Sequence, residues 1–110
     1  MISVVVPVMN EEGNIAPLIK EIAAAAAHAP ITEIVYVDDG SSDNTLNVLK
    51  SLQSEYPMLR VLHHDRRSGQ SAALLTGIRA ARNDIIYLKN PITRAGIIFQ
   101  KPRILLKLIH

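Results

Sequence analysis

Two adjacent carboxylates, Asp38 and Asp39, close an apolar run of β-formers, and Gly40-Ser41-Ser42-Asp43 follows them directly. Such a pair repels itself unless each member finds a partner. In open α/β sheets, ligands bind just past the carboxyl ends of the strands, where this pair stands. Ionised carboxylates only accept hydrogen bonds, so the natural partners are N–H and O–H donors of the chain or of a ligand. Ser42 and Asp43 serve equally well as helix N-caps. A second acidic group, Glu11-Glu12, follows Pro7-Val8-Met9-Asn10. A third polar stretch, His64-Asp65-Arg66-Arg67-Ser68-Gly69, offers cations. His63 and His64 have no evident third ligand, which favours loop histidines over a metal site.

The totals narrow the chemistry. The chain has 110 residues and no Cys, so thiolate metal sites and disulfides are excluded, in keeping with a reducing, cytoplasmic setting. Trp is absent and aromatics make up 4% of the chain, too few for a stacking platform on nucleic acid. Residues 1–84 carry ten acids against seven Lys/Arg, a net charge of −3; residues 85–110 carry five Lys/Arg and no acid, a net charge of +5. The basic character therefore belongs to the tail, and no nucleic-acid partner is expected. No signal peptide and no membrane span is read from the sequence.

The elements that must position these groups alternate. Ser3–Val8 is a valine-rich run suited to a strand buried on both faces, ending near Pro7. Ile15, Leu18, Ile19, Ile22 and Ala26 form one helical stripe, with Asn14 as the expected cap and His28-Ala29-Pro30 as the end. Ile31–Val37 reads as a second strand. Ser42 or Asp43 starts a helix whose core side is Leu46, Leu49 and Leu52. Residues 60–63 make a third strand, residues 70–81 a helix with Leu74, Leu75 and Ile78 inward, and residues 84–88 a fourth strand. This β-α-β-α-β-α-β order predicts a parallel sheet with flanking helices, half of a doubly wound fold. Beyond Leu88 no clean period emerges, and residues 89–110 are expected to be a basic tail without assigned structure, open to contact with a membrane or a partner.

Three stretches in this order resemble family 2 glycosyltransferases. Val6-Pro7-Val8-Met9-Asn10-Glu11-Glu12 is similar to their opening motif, and Val37-Asp38-Asp39-Gly40-Ser41-Ser42-Asp43-Asn44-Thr45 to their Val-Asp-Asp-Gly-Ser-x-Asp-x-Thr. Ser68-Gly69-Gln70-Ser71-Ala72-Ala73-Leu74 through Gly77 resembles a third element. The likeness covers about residues 2–88 and is nearest to the dolichyl- and undecaprenyl-phosphate sugar synthases. It implies a partial, Rossmann-like glycosyltransferase-A fold in which residues 1–88 form the half that binds a nucleotide-diphospho-sugar. It further implies that Pro7, Met9 and Glu11 line the base and ribose, with Met9 standing where an aromatic is usual. Asp39 would accept from the base, Asp38 would support the turn or the ribose, and Gly69 would let the backbone approach the ligand. Gln70 stands where relatives often carry a basic residue, and Arg66 or Arg67 could supply that charge. The implied partners are the nucleotide sugar and a lipid-phosphate acceptor, which would put the protein at the inner membrane face.

The resemblance also implies Mg²⁺ or Mn²⁺, held by an Asp-x-Asp after the fourth strand. Here Lys89-Asn90-Pro91 stands in that place and no acid follows Asp84, so neither metal ligands nor a catalytic base is expected. Asp84 begins its strand, at the wrong end of the sheet. This is the pattern expected of a longer enzyme truncated or frame-shifted after the fourth strand. Two readings stay open: a glycosyltransferase donor half with impaired or no turnover, and a non-catalytic nucleotide-binding or regulatory module docking on another protein. A dinucleotide oxidoreductase is set aside, because the first loop is acidic and lacks Gly-x-Gly-x-x-Gly. An uncovered sheet edge predicts self-association. Replacing Asp39 by alanine is expected to abolish nucleotide binding with little loss of fold.

Overall fold

The computed structural model describes residues 1–101. The chain runs β1 (Ile2–Val8), α1 (Glu12–Ala25), β2 (Ile31–Asp39), α2 (Thr45–Leu52), β3 (Leu59–His64), α3 (Gln70–Ala80), β4 (Ile85–Lys89) and β5 (Gly96–Gln100). The sheet order is β3-β2-β1-β4-β5. β1 pairs in parallel with β2 and β4, β2 pairs in parallel with β3, and β5 runs antiparallel to β4. β1 and β2 are covered on both faces, which is why they read as unbroken apolar runs rather than as alternating ones.

Strand alternation divides the core into two layers. Val4, Val6, Val8, Ile34 and Tyr36 pack under Ile15, Leu18, Ile19 and Ile22 of α1 and Leu49 of α2. Val5, Val35, Val37 and Ile86 face Ala73 and Ile78 of α3. Gly77 allows α3 to sit close to the sheet, because a Cβ there would stand 2.3 Å from Val5 Cγ1. The same alternation separates the two carboxylates. Asp38 falls on the α1–α2 face and Asp39 on the α3 face.

Several expectations shift. α1 begins at Glu12, not Asn14, and the Asn14 side chain donates to Glu11 Oε2 at 2.8 Å instead of capping. α1 stops at Ala25, and residues 26–28 form a turn. Asn44, not Ser42 or Asp43, holds the N-cap position of α2, while Asp43 Oδ1 accepts from the Thr45 amide at 2.9 Å. Of the expected Leu46, Leu49 and Leu52 on α2, Leu49 is buried and Leu52 packs against the core beside Val48, while Leu46 is only half-buried. On α3 the buried positions are Ala73, Gly77 and Ile78; Leu75 is exposed. β3 extends to His64, which the sequence reading leaves in a loop.

The largest difference is β5, in a stretch to which the sequence reading assigns no element. Asn90 Oδ1 accepts from the amides of Ile92 and Thr93 at 2.8 and 3.0 Å, which folds the turn. Ile97-Ile98-Phe99 then returns along the free edge of β4. The run lacks a period because both of its faces are largely open, with Ile97 and Ile98 exposed. The apolar patch at residues 104–106 and the rest of the basic tail lie outside the described residues.

Candidate nucleotide site

Three loops meet at the carboxyl ends of β1, β2 and β3, and backbone-to-side-chain bonds lock them together. Asn10, at φ 55, turns its side chain back so that Oδ1 accepts from the amides of Ser42 (2.9 Å) and Asp43 (3.3 Å). Asparagine tolerates this left-handed conformation better than most residues. In return Ser41 Oγ accepts from the Asn10 amide, and Thr45 Oγ1 accepts from the Glu11 amide, both at 2.9 Å. The Thr45 hydroxyl donates to Asp43 Oδ1 at 2.5 Å. The first two motifs are therefore one hydrogen-bonded unit.

Each carboxylate has found its partners. Asp38 is buried and accepts from the Ser41 hydroxyl and, at 3.4 Å, from the Ser41 amide. It holds the turn and does not line the cavity described below. Asp39 is 4% exposed. Its Oδ1 accepts from His64 Nδ1 and from the Ser68 amide, both at 2.8 Å, and its Oδ2 accepts from the Gly69 amide at 2.9 Å. Burial by itself raises the Asp39 carboxyl. The bonds from His64, Ser68 and Gly69 outweigh it and hold the group below its ordinary range. Asp43 is lowered as well, chiefly by the Thr45 hydroxyl.

This depression has a sign. A carboxylate with a lowered folded pKa stabilises the fold above the unfolded value of about 4, and that contribution fades as the pH falls through the folded value. Urea melts of the wild type and Asp39→Asn should therefore differ clearly at pH 7 and converge toward pH 3.

Between the loops lies a cavity of about 260 Å³. Pro7, Met9 and Glu11 line it from the β1 loop, Asp39 from β2, Arg67 and Gln70 from the third loop and α3, and Asn90, Pro91 and Ile92 from the turn after β4. Four of the six nucleotide-binding residues expected from the sequence thus share one wall. The other two support it: Asp38 through the turn, and Gly69 through the amide that meets Asp39. Arg67 lines the cavity and Arg66 does not. The arrangement offers an acidic acceptor flanked by apolar contacts, with one cation at the rim. That suits a flat, polar-edged ligand carrying anionic groups.

His64 is the member that the sequence reading missed. Its Nε2 is hydrogen-bonded to Thr76 Oγ1 on α3 at 2.8 Å. A signal was present, since the histidine stands in register with Asp39 once β2 and β3 are paired, but register is not visible before the pairing.

A divalent cation does not fit the residues present. The turn after β4 supplies Lys89, Asn90 and Pro91, and Asn90 Oδ1 is already engaged by two amides. Among the described residues, no group of three or more His, Asp or Glu could hold a metal ion. Hard cations require several oxygen ligands. No helix among these residues is long and apolar enough to cross a membrane.

The chain is similar to known proteins in sequence and in fold. The sequence pattern of the family described as Glycosyl transferase family 2 matches residues 3–89. A dodecaprenyl-phosphate galacturonate synthase from Rhizobium johnstonii is 42% identical over 87 residues, covering 77% of this chain and 26% of its own length. A dolichol-phosphate mannosyltransferase from Mycosarcoma maydis is 35% identical over 85 residues, covering 73% of this chain and 29% of its own. Among solved structures, a mannosyltransferase from Pyrobaculum calidifontis in complex with GDP-Man and Mn²⁺ superposes with a TM-score of 0.65 at 27% identity, over 82% of this chain and 27% of that one. The chain spans between a quarter and a third of the length of each of these relatives. These neighbours carry the glycosyltransferase-A fold, and the mixed α/β sheet described above is its counterpart.

Proposed function

Because the chain belongs to glycosyltransferase family 2, we propose that its cavity takes the nucleoside and diphosphate of a nucleotide-diphospho-sugar. It forms the donor-binding half of an enzyme that hands the sugar to a polyprenyl phosphate at the inner membrane face. The observation that supports this best is the shared wall of Pro7, Met9, Glu11 and Asp39, with the Asp39 carboxylate built into the fold by three donors. In this reading the free lone pair of Asp39 Oδ2 accepts from the base. Met9 packs its thioether on the ring in place of an aromatic. Arg67, which lines the cavity, faces the phosphates.

The turn after β4 favours a second reading of the same pocket. With Lys89 and Asn90 where a metal-binding acid pair would be needed, the residues present bind a nucleotide without completing the transfer. The protein is then a non-catalytic nucleotide-binding module. The two readings share the donor site and differ in turnover.

Calorimetric titration with UDP and GDP, each with and without Mn²⁺, tests the proposal. We expect one nucleotide to bind with an affinity that Mn²⁺ leaves unchanged within about twofold; a tenfold change would correspond to about 1.4 kcal/mol. Failure of both nucleotides to bind a chain that melts cooperatively would overturn the proposal. Binding that requires Mn²⁺ would restore the catalytic reading and call for an assay of transfer.

A further inference from the structure

We propose that His64 is the positioning residue of the nucleotide site: anchored by Thr76 of α3, it decides which oxygen of Asp39 is offered to the ligand. The inference rests on the reading that the cavity takes a nucleoside.

Asp39 has two oxygens and three protein donors. Oδ1 receives two of them, His64 Nδ1 and the Ser68 amide, both at 2.8 Å. Oδ2 receives only the Gly69 amide, at 2.9 Å. A carboxylate oxygen has two good lone-pair directions, so Oδ1 is filled and Oδ2 keeps one vacant. Asp39 lines the cavity, which makes Oδ2 the acceptor available to a bound base.

The three donors differ in what carries them. Ser68 and Gly69 belong to a loop in which Arg66, Arg67 and Ser68 are all exposed. His64 closes β3, paired in register with Asp39. Its far nitrogen lies 2.8 Å from Thr76 Oγ1, and with Nδ1 protonated a neutral ring accepts the Thr76 hydroxyl proton at Nε2 in place of the Ala72 carbonyl, 2.9 Å from the same oxygen. The ring is thus gripped at both ends by regular structure. A site is held to its working geometry by side chains that are themselves locked, and the His64 side chain links Asp39 to both β3 and α3. Without it the carboxylate is held only by the Ser68 and Gly69 amides, and the direction in which Oδ2 is offered is less firmly set.

One consequence is spectroscopic. A carboxylate accepts, so Nδ1 must carry a proton, the less usual position for a neutral imidazole. Long-range ¹H–¹⁵N spectra of the wild type should show His64 protonated at Nδ1. An unprotonated Nδ1 would overturn the proposal.

The decisive experiment compares three variants by nucleotide titration, with a melting curve for each. His64→Asn places an amide N–H near the position of Nδ1 and should bind within about threefold of the wild type. His64→Leu fills the space without a donor and should bind at least tenfold more weakly, the loss expected for one charge-assisted bond. Thr76→Val keeps the ring and removes its anchor, and should weaken binding about threefold to tenfold. Equal affinity for His64→Leu and the wild type would overturn the proposal. If His64→Leu does not fold, Thr76→Val decides, and an unchanged affinity there overturns it. Absence of nucleotide binding by the wild type would instead defeat the underlying reading, and the two failures are told apart by that control.

Discussion

Gly40→Ala should lower stability by about 2–5 kcal/mol and weaken nucleotide binding in the same variant. Two costs combine. Gly40 has φ +72, a left-handed conformation that costs an alanine about 1–2 kcal/mol. A Cβ at this position would also stand 2.5 Å from the Arg67 amide nitrogen and 2.8 Å from the Arg66 carbonyl carbon. Both are backbone atoms and cannot rotate away, so the 66–67 segment must move, at about 1–3 kcal/mol for an overpacked contact. That segment leads directly into the Ser68 and Gly69 amides that hold Asp39. Urea denaturation reads the first effect and titration with UDP or GDP the second. Gly13→Ala is the control: it lies in α1, its Cβ would meet nothing within 4 Å, and it should be neutral or stabilising by up to about 1 kcal/mol. Equal midpoints for Gly40→Ala and the wild type would show that the loop yields freely, and the tight apposition would then have no energetic weight.

Asp39→Ala should cut nucleotide affinity by about a hundredfold or more and also destabilise the chain, by about 3 kcal/mol. The sequence alone leads to the first half and to the opposite of the second. The carboxylate looks like a free ligand group there. In the fold it satisfies the amides of Ser68 and Gly69 and the ring of His64, and removing it leaves all three donors without an acceptor. Each stranded buried donor costs about 1–3 kcal/mol, partly recovered where water reaches the exposed Ser68 loop. Asp39→Asn separates the two effects, since its amide keeps an acceptor oxygen and the same shape. Its stability should fall between wild type and Asp39→Ala, while its affinity stays low. Unchanged affinity in Asp39→Ala would remove this residue from the site.

Much of this arrangement was legible before any coordinates. Short valine-rich runs that lack alternation suit strands covered on both faces, and three helical stripes between them leave a parallel sheet as the economical solution. What escaped was anything that depends on pairing. His64 gains its role because β3 sets it beside Asp39, and a histidine at the end of a short strand carries no mark of that. The separate fates of Asp38 and Asp39 follow from strand alternation once β2 is seen to run through both. β5 escaped for another reason: five residues with two open faces have no period to detect, and they form a strand because β4 presents a free edge. The helix starts shifted because the loops satisfy each other. Asn10 serves the Ser42 and Asp43 amides, and the Asp43 carboxylate meets the first amide of α2 from one residue ahead of the N-cap position.

The central position of β1 also sets an order of assembly. Its partner on one side, β2, follows after a single helix, with Val4 meeting Ile34 and Val8 meeting Asp38. Its partner on the other side, β4, arrives only at residue 85, so that Ile2 waits for Ile85 across nearly the whole described chain. Closing the shorter loop costs less entropy and is the faster event. During synthesis the β1-α1-β2 unit, with the Asn10 and Ser41 cross-ties, can form while β3 and β4 are still being made. One flank of the first strand then stays an open template until β4 has been made, the interval in which a neighbouring nascent chain has its best opportunity to take the place of β4.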